Sequence, residues 1–187
     1  DQIGPRDRIR EMAFHLPLNL VSPERLRRIF QGQLAPPLQA FPKRLAELGF
    51  QPTLGYLKGY IDLIFRFRGR YYLIDWKSND LGNRPEDYAP EVLARVMASG
   101  LYILQYHLYT IALHRFLKAR LGNYDYDRHM GGVFYLFLRG IAPGWGTPYG
   151  IFADRPERIR LEAIEKGLSG ETGGRKADDS SGGFHDL

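Results

Sequence analysis

Residues 59–78 read GYIDLIFRFRGRYYLIDWKS, and two aspartates, Asp62 and Asp75, interrupt runs that otherwise look like β-strands. Aspartate is depleted in strands, and a carboxylate placed inside a core is costly unless something compensates it. Arg68 and Gly69 lie between the two runs, where glycine supplies the positive φ of a tight hairpin turn. A two-residue turn pairs Phe67 with Arg70. Counting outward then pairs Ile64 with Leu73, Asp62 with Asp75, and Tyr60 with Lys77. A three-residue or five-residue loop, or a bulge, would shift this register by one. Alternation sends Ile61, Leu63, Phe65 and Phe67 to one face with Tyr72, Ile74 and Trp76, which reads as core. Asp62, Asp75 and Lys77 share the other face.

Directly opposed carboxylates repel, so such a pair lowers stability unless a cation lies between them. A hard divalent metal removes the conflict. Magnesium takes oxygen ligands, is held by one or two carboxylates plus water and substrate phosphate, and keeps positions open for chemistry. Lys77, two residues after Asp75, points to the same place. A lone Asp-x-Lys reads more readily as a solvated surface pair. The cross-strand aspartate turns the reading toward a metal site.

The chain has 187 residues and is 44% hydrophobic, enough for one substantial core. No apolar run approaches the roughly 20 residues that cross a membrane. The opening DQIGPRDRIREM contains no signal-peptide core, so a soluble intracellular protein is expected. Cysteine is absent, which removes disulfides, thiolate catalysis and cysteine-based zinc or iron–sulfur sites, and leaves oxygen as the donor for any metal. A net charge of +5 suits a polyanionic partner such as nucleic acid, though many soluble proteins share it. The chain opens abruptly on the strand-like REMAFHLPLNL, as a fragment of something longer would.

After that strand, Ser22 is placed to cap a short helix with Pro23 at its first position. APPLQAFPKRLAELGF mixes proline-bounded loop with a helical turn. From about Pro90 to Leu121, Leu93, Val96, Met97, Leu101, Leu104, Leu108, Ile111 and Ala112 recur at helical spacing, with Gly100 as a break and Gly122 as a stop. GGVFYLFLRGI, 131–141, reads as a buried strand and IRLEAIEKGL as a closing helix. Strands alternate with helices, which predicts an α/β domain over 1–168. The tail from residue 169, rich in Gly, Ser and Asp, is expected to be disordered.

Gln105 and Tyr109 are four apart on the long helix and so share a face. His107 and His114 read as ordinary surface or boundary residues without a role. Tyr71, Tyr72, Tyr102, Tyr106 and Phe116 read as packing residues rather than as platforms for stacked bases.

In the order GYIDLIF, YYLIDWKSN, LQYHLYTIALHRFLKARL and GGVFYLFLRG, the chain closely resembles the RecB-type nuclease domain of bacterial RecBCD helicase-nucleases, exonuclease V. Those domains are members of the PD-(D/E)XK nuclease superfamily. The resemblance runs from about Glu11 to Pro156. It implies a restriction-endonuclease-like core, a mixed central sheet flanked by helices. It also implies that Asp62 and Asp75 are metal ligands, with the backbone carbonyl of Trp76 as a further one and Glu11 as a loosely held candidate. Lys77 becomes the lysine that orients or activates the attacking water, while Gln105 and Tyr109 become substrate-binding residues. The cofactor implied is Mg2+, the substrate DNA, the partners RecC and RecD, and the setting the bacterial cytoplasm at the nucleoid. One departure is that the family's histidine ligand belongs to a helix upstream of the REMAF strand, a region absent from this sequence; His15 is no substitute. A fragment lacking it is expected to bind metal weakly or to fall short of full activity.

The function expected is therefore magnesium-dependent hydrolysis of phosphodiester bonds in DNA. No G-x-x-x-x-G-K-[ST] phosphate loop occurs, so a motor would lie elsewhere. The alternative is a catalytically inactive nuclease-like module that binds DNA or partner subunits, against which the intact Asp, Asp-x-Lys set argues. A stand-alone restriction or repair nuclease is a poorer match to the helix and the YLFLRG segment.

Overall fold

The turn forms as the sequence predicts. Arg68 and Gly69 both take positive φ, 49° and 76°, and Phe67 pairs with Arg70 across a two-residue loop. This hairpin joins β2 (Thr53–Phe67) to β3 (Arg70–Lys77) at the centre of a sheet. The computed structural model describes residues 3–31, 34, 38–48 and 53–169, so the expectation of a disordered tail from 169 concerns a segment that lies almost wholly outside the described residues.

Among the described residues five strands lie in the order β1-β2-β3-β4-β5, with β1 (Arg8–Val21), β4 (Met130–Phe137) and β5 (Ile151–Asp154) beside the hairpin. All neighbours are antiparallel except β3 and β4, which run parallel. A parallel pair needs a long crossover, and the chain supplies one through α3 (Pro90–Ser99), α4 (Tyr102–Arg120) and the single turn α5 (Tyr126–His129). The result is the α/β domain that the sequence predicts, with the mixed sheet and flanking helices that the resemblance implies. Strand β5 was not anticipated. Four residues carry too little pattern to register as a strand.

Local chemistry sets the helix ends. The Ser22 hydroxyl accepts from the Arg25 N–H at 3.2 Å and starts α1 (Pro23–Phe30), with Pro23 at its first position. Gly100 separates α3 from α4, and Leu101 takes φ 59° at the new start. Helix α2 (Phe41–Ala46) packs on α1, and α6 (Arg158–Ser169) closes over β1 and α1. The core lies between the sheet and the helices, with Phe14, Leu16, Ile61, Ile64, Leu73 and Val133 from the strands meeting Leu93, Met97, Ile103, Tyr106 and Leu113 from the helices. Among the described residues no helix is long and apolar enough to cross a membrane.

Three expectations require correction. The hairpin buries the opposite face from the one predicted: Ile64, Leu73 and Asp75 are buried, whereas Trp76 is 44% exposed. Tyr72 stacks on Phe65 and on Phe134 on the other, half-buried face. Both faces are apolar enough to bury, so alternation left the choice to the helical layer, which covers the carboxylate face. Alternation itself also fails at one point. Ile61 and Ile64 are both buried although three residues apart, and Asp62 and Leu63 fill the step between them. Across on β1, Glu11 takes φ 50°, a left-handed conformation rare for a non-glycine residue, and drops out of a ladder that otherwise runs from Arg10–Leu63 to Met12–Ile61. Finally, His107 is fully buried rather than at the surface. It stacks on Tyr106, meets Phe30 edge-on, and hydrogen-bonds through Nδ1 to the Ile103 carbonyl at 2.7 Å. Burial pushes its pKa down to about 3, so it behaves as a neutral core side chain.

Candidate active site

The irregularity at Asp62 builds the site. The main-chain ladder between β2 and β3 ends at Leu63–Ile74, one step short of the predicted rung that would place Asp62 opposite Asp75, and so Tyr60 does not pair with Lys77. The carboxylate of Asp62 instead accepts from the Trp76 backbone N–H at 2.9 Å. A side-chain oxygen thus stands in for the carbonyl that a continued strand would have offered, and the two carboxylates avoid the closest cross-strand approach. Sequence reasoning put the two aspartates together correctly but by a rung that does not form.

Asp75 is only 5% exposed. Burial raises its pKa; Lys77 opposes that shift and the nearby negative charge of Asp62 adds to it. Lys77 Nζ lies 2.7 Å from Asp75 Oδ2 as an ion pair, at an angle that does not make a hydrogen bond, so Oδ2 is buried without a donor. A buried carboxylate oxygen whose close partner is an ammonium out of hydrogen-bonding line is the kind of atom a hard cation satisfies. The donor set present, Asp75 and Asp62 with oxygens only, fits a magnesium-like ion that keeps several waters. Among the described residues no group of three or more His, Cys, Asp or Glu is placed to hold a metal.

Lys77 is held by more than its charge partner. Its Nζ donates to Gln105 Oε1 at 3.0 Å and lies 4.0 Å from the Tyr102 ring centre and 5.0 Å from that of Tyr135. Gln105 Oε1 also accepts from the Tyr135 hydroxyl at 3.0 Å, and Gln105 Nε2 donates to Tyr109 Oη at 2.8 Å. The helical i, i+4 pair seen in the sequence therefore forms, and it reaches Lys77. Because Tyr109 Oη accepts from Gln105, its own proton remains available for an anionic oxygen. Burial, followed by the charge of Asp75, raises the Tyr109 pKa and keeps that proton in place. Tyr109 is braced from below by an edge contact with the Phe14 ring at 5.5 Å.

Tyr102 and Tyr135 belong to the site although helical spacing marks Tyr102 as a packing residue and no motif points to Tyr135. The signal for Tyr135 was present in the sequence, since a tyrosine at an inward position of an apolar strand needs a hydrogen-bond partner. Glu11 and Trp76 lie on the other side of Asp62. With Arg8, Arg10, Leu63 and Asp62 they line an open cleft of about 470 Å³. Trp76 sits opposite Leu136 in the ladder with β4, and its N–H is the one that Asp62 holds.

Comparison with known proteins bears on this arrangement. The family model of the PD-(D/E)XK nuclease superfamily matches residues 9–175. The RecBCD enzyme subunit RecB of Escherichia coli (strain K12) is 39% identical over 174 residues, covering 91% of this chain and 14% of that protein. The subunit of the same name from Mycobacterium tuberculosis (strain H37Rv) is 41% identical over 182 residues, with 87% of this chain and 17% of its own length covered. That of Haemophilus influenzae is 50% identical over 110 residues, 58% of this chain and 9% of its own. The chain thus spans less than a fifth of the length of these relatives.

Proposed function

The chain belongs to the PD-(D/E)XK nuclease superfamily and is of the RecB type, and from that premise we propose that it hydrolyses phosphodiester bonds of DNA with Mg2+, with residues 1–168 as the nuclease domain of a RecBCD-type helicase-nuclease. The observation that carries this reading is Asp75 Oδ2, a buried carboxylate oxygen without a hydrogen-bond donor, beside Asp62 and within an ion pair of Lys77. A purely binding module has no use for two crowded carboxylates that cost it stability.

Asp62 and Asp75 would hold the metal, with the Trp76 carbonyl and Glu11 as further oxygen donors. When bound, such an ion lowers the pKa of a water and neutralises charge on the phosphate. Lys77, held by Gln105 and by two aromatic faces, orients the attacking water and faces the phosphate with its remaining protons. Tyr109, its hydroxyl turned by Gln105, donates to a phosphate oxygen and positions the substrate. Gln105 is the element that ties both groups to one geometry. RecC and RecD as partners, exodeoxyribonuclease V as the activity of the assembly, and a place on the bacterial chromosome in the cytoplasm complete the proposal. The relatives' name, RecBCD enzyme subunit RecB, supports it.

The test is cleavage of linear DNA with magnesium, with EDTA, and with Asp62→Ala and Asp75→Ala beside the unaltered protein. Magnesium-dependent cleavage lost in both variants, with salt-sensitive DNA binding retained, is the expected result. Equal loss of cleavage and binding would make the aspartates folding or binding residues and sink the hydrolytic role.

A further inference from the structure

Among the described residues, the β1–β2 ribbon extends past the site with one face uncovered. Alternation puts Leu54, Tyr56, Lys58 and Tyr60 on that face, away from the buried Ile61 and Phe14. Tyr56 is 76% exposed and Tyr60 51%. Their strand partners on β1, Pro17 and Ala13, are also exposed, so nothing on the neighbouring strand shields the rings. Lys58 lies between the two tyrosines, its Nζ 5.5 Å from the Tyr60 ring centre. Two residues beyond Tyr60 the chain reaches Asp62, at the point where alternation breaks. Asp62 in turn lines the cleft that holds Arg8, Arg10 and the half-exposed Trp76.

We propose that this face is a track for a single strand of nucleic acid, on which Tyr56 and Tyr60 stack bases, Lys58 meets the phosphates between them, and the strand runs past Asp62 onto Trp76, Arg8 and Arg10. The inference rests on the hydrolytic reading above and gives its substrate a path. Exposed aromatic rings alternating with cations along a strand are the arrangement that binds single strands without sequence preference, because every base has a stacking face and every nucleotide a phosphate. Tyr56 and Tyr60 are four residues apart, about 13 Å along a strand, so each takes a separate base. A duplex keeps its bases stacked on one another and offers these rings nothing. Charge favours a polyanion over a protein partner, with cations both before and after Asp62 and a net charge of +5. Continuity with a catalytic carboxylate favours the substrate itself.

The experiment is fluorescence anisotropy of a labelled oligothymidylate with the full chain in EDTA, where nothing is cleaved. Tyr60→Ala and Tyr56→Ala each weaken binding about tenfold, whereas Tyr60→Phe and Tyr56→Phe bind as the unaltered protein does. Lys58→Ala reduces the slope of log affinity against log salt by about 0.7, the loss of one phosphate contact. Affinity for a blunt duplex stays unchanged in the tyrosine variants. The track is overturned if the alanine variants bind the oligonucleotide as tightly as the unaltered chain, if the phenylalanine variants lose as much as the alanine ones, or if the unaltered chain does not bind it. Unimpaired DNA binding by alanine variants that no longer bind a partner subunit would make the face a protein interface instead. Binding that follows the prediction in a protein that never cleaves with magnesium would leave the track standing and remove the hydrolase reading.

Discussion

Replacing Lys77 with methionine removes one charge from a nearly dry pair. Nζ and Asp75 Oδ2 are 2.7 Å apart, and the two side chains are 12% and 7% exposed. At an effective dielectric constant of about 20 the attraction at this distance is about 6 kcal/mol. Desolvation of both ions consumes much of that, and what remains measurable on deleting one partner of a buried pair is roughly 3–5 kcal/mol, because the other is left buried and unpaired. Lys77→Met is therefore expected to destabilise the metal-free protein by about 3 kcal/mol near pH 8. The sign of the pH dependence follows from Asp75. Burial already raises its pKa above the unfolded value of 3.8, and loss of the ammonium raises it further. The folded variant then binds a proton more tightly than the unfolded chain, so its deficit shrinks as pH falls through that raised pKa, by about 1.4 kcal/mol per pH unit. Urea unfolding in EDTA at about pH 8 and about pH 5, followed by the fluorescence of Trp76 and Trp145, measures both quantities. A loss below about 1 kcal/mol, or a loss that grows as pH falls, would refute the description of Asp75 as a buried carboxylate held by Lys77.

Gln105→Leu leaves Lys77 and the Tyr135 hydroxyl without their shared acceptor; we expect kcat to fall about a hundredfold with metal affinity and KM little changed, as steady-state kinetics and calorimetry would show, whereas a rise in KM alone would make Gln105 a substrate-binding side chain rather than a positioning one. His107 has its pKa depressed from 6.5 to about 3, so the unfolded state takes up its proton first, and the stability it contributes above pH 6.5 drains away as pH falls toward 3. The slope is about 1.4 kcal/mol per pH unit. His107→Leu should flatten that part of the stability profile in urea titrations between about pH 7 and about pH 4, and an unchanged slope would place the acid sensitivity elsewhere.

The chemistry of this protein is written locally. Asp62, Asp75 and Lys77 stand in a segment with a turn of only two residues, so their grouping follows from strand geometry and the φ preference of Gly69. Gln105 and Tyr109 are a helical pair for the same kind of reason, since four residues make slightly more than one turn. The Ser22 cap, the break at Gly100 and the buried strand at 130–137 are equally local. Contacts between distant segments are a different matter. Which face of the hairpin is buried depended on where α4 came to rest, because both faces carry enough apolar surface to be covered. The last rung of the register depended on Glu11, fifty-one positions before Asp62, whose left-handed backbone interrupts the ladder and frees Asp62 to take the Trp76 N–H. Only the folded chain brings Gln105 from its helix onto Lys77, and Tyr135 from β4 onto Gln105. Composition and spacing could name the candidate groups because carboxylates and a lysine need only neighbours. Their burial, charge state and orientation belong to the layers packed above and below them, and those layers meet only once the chain has closed.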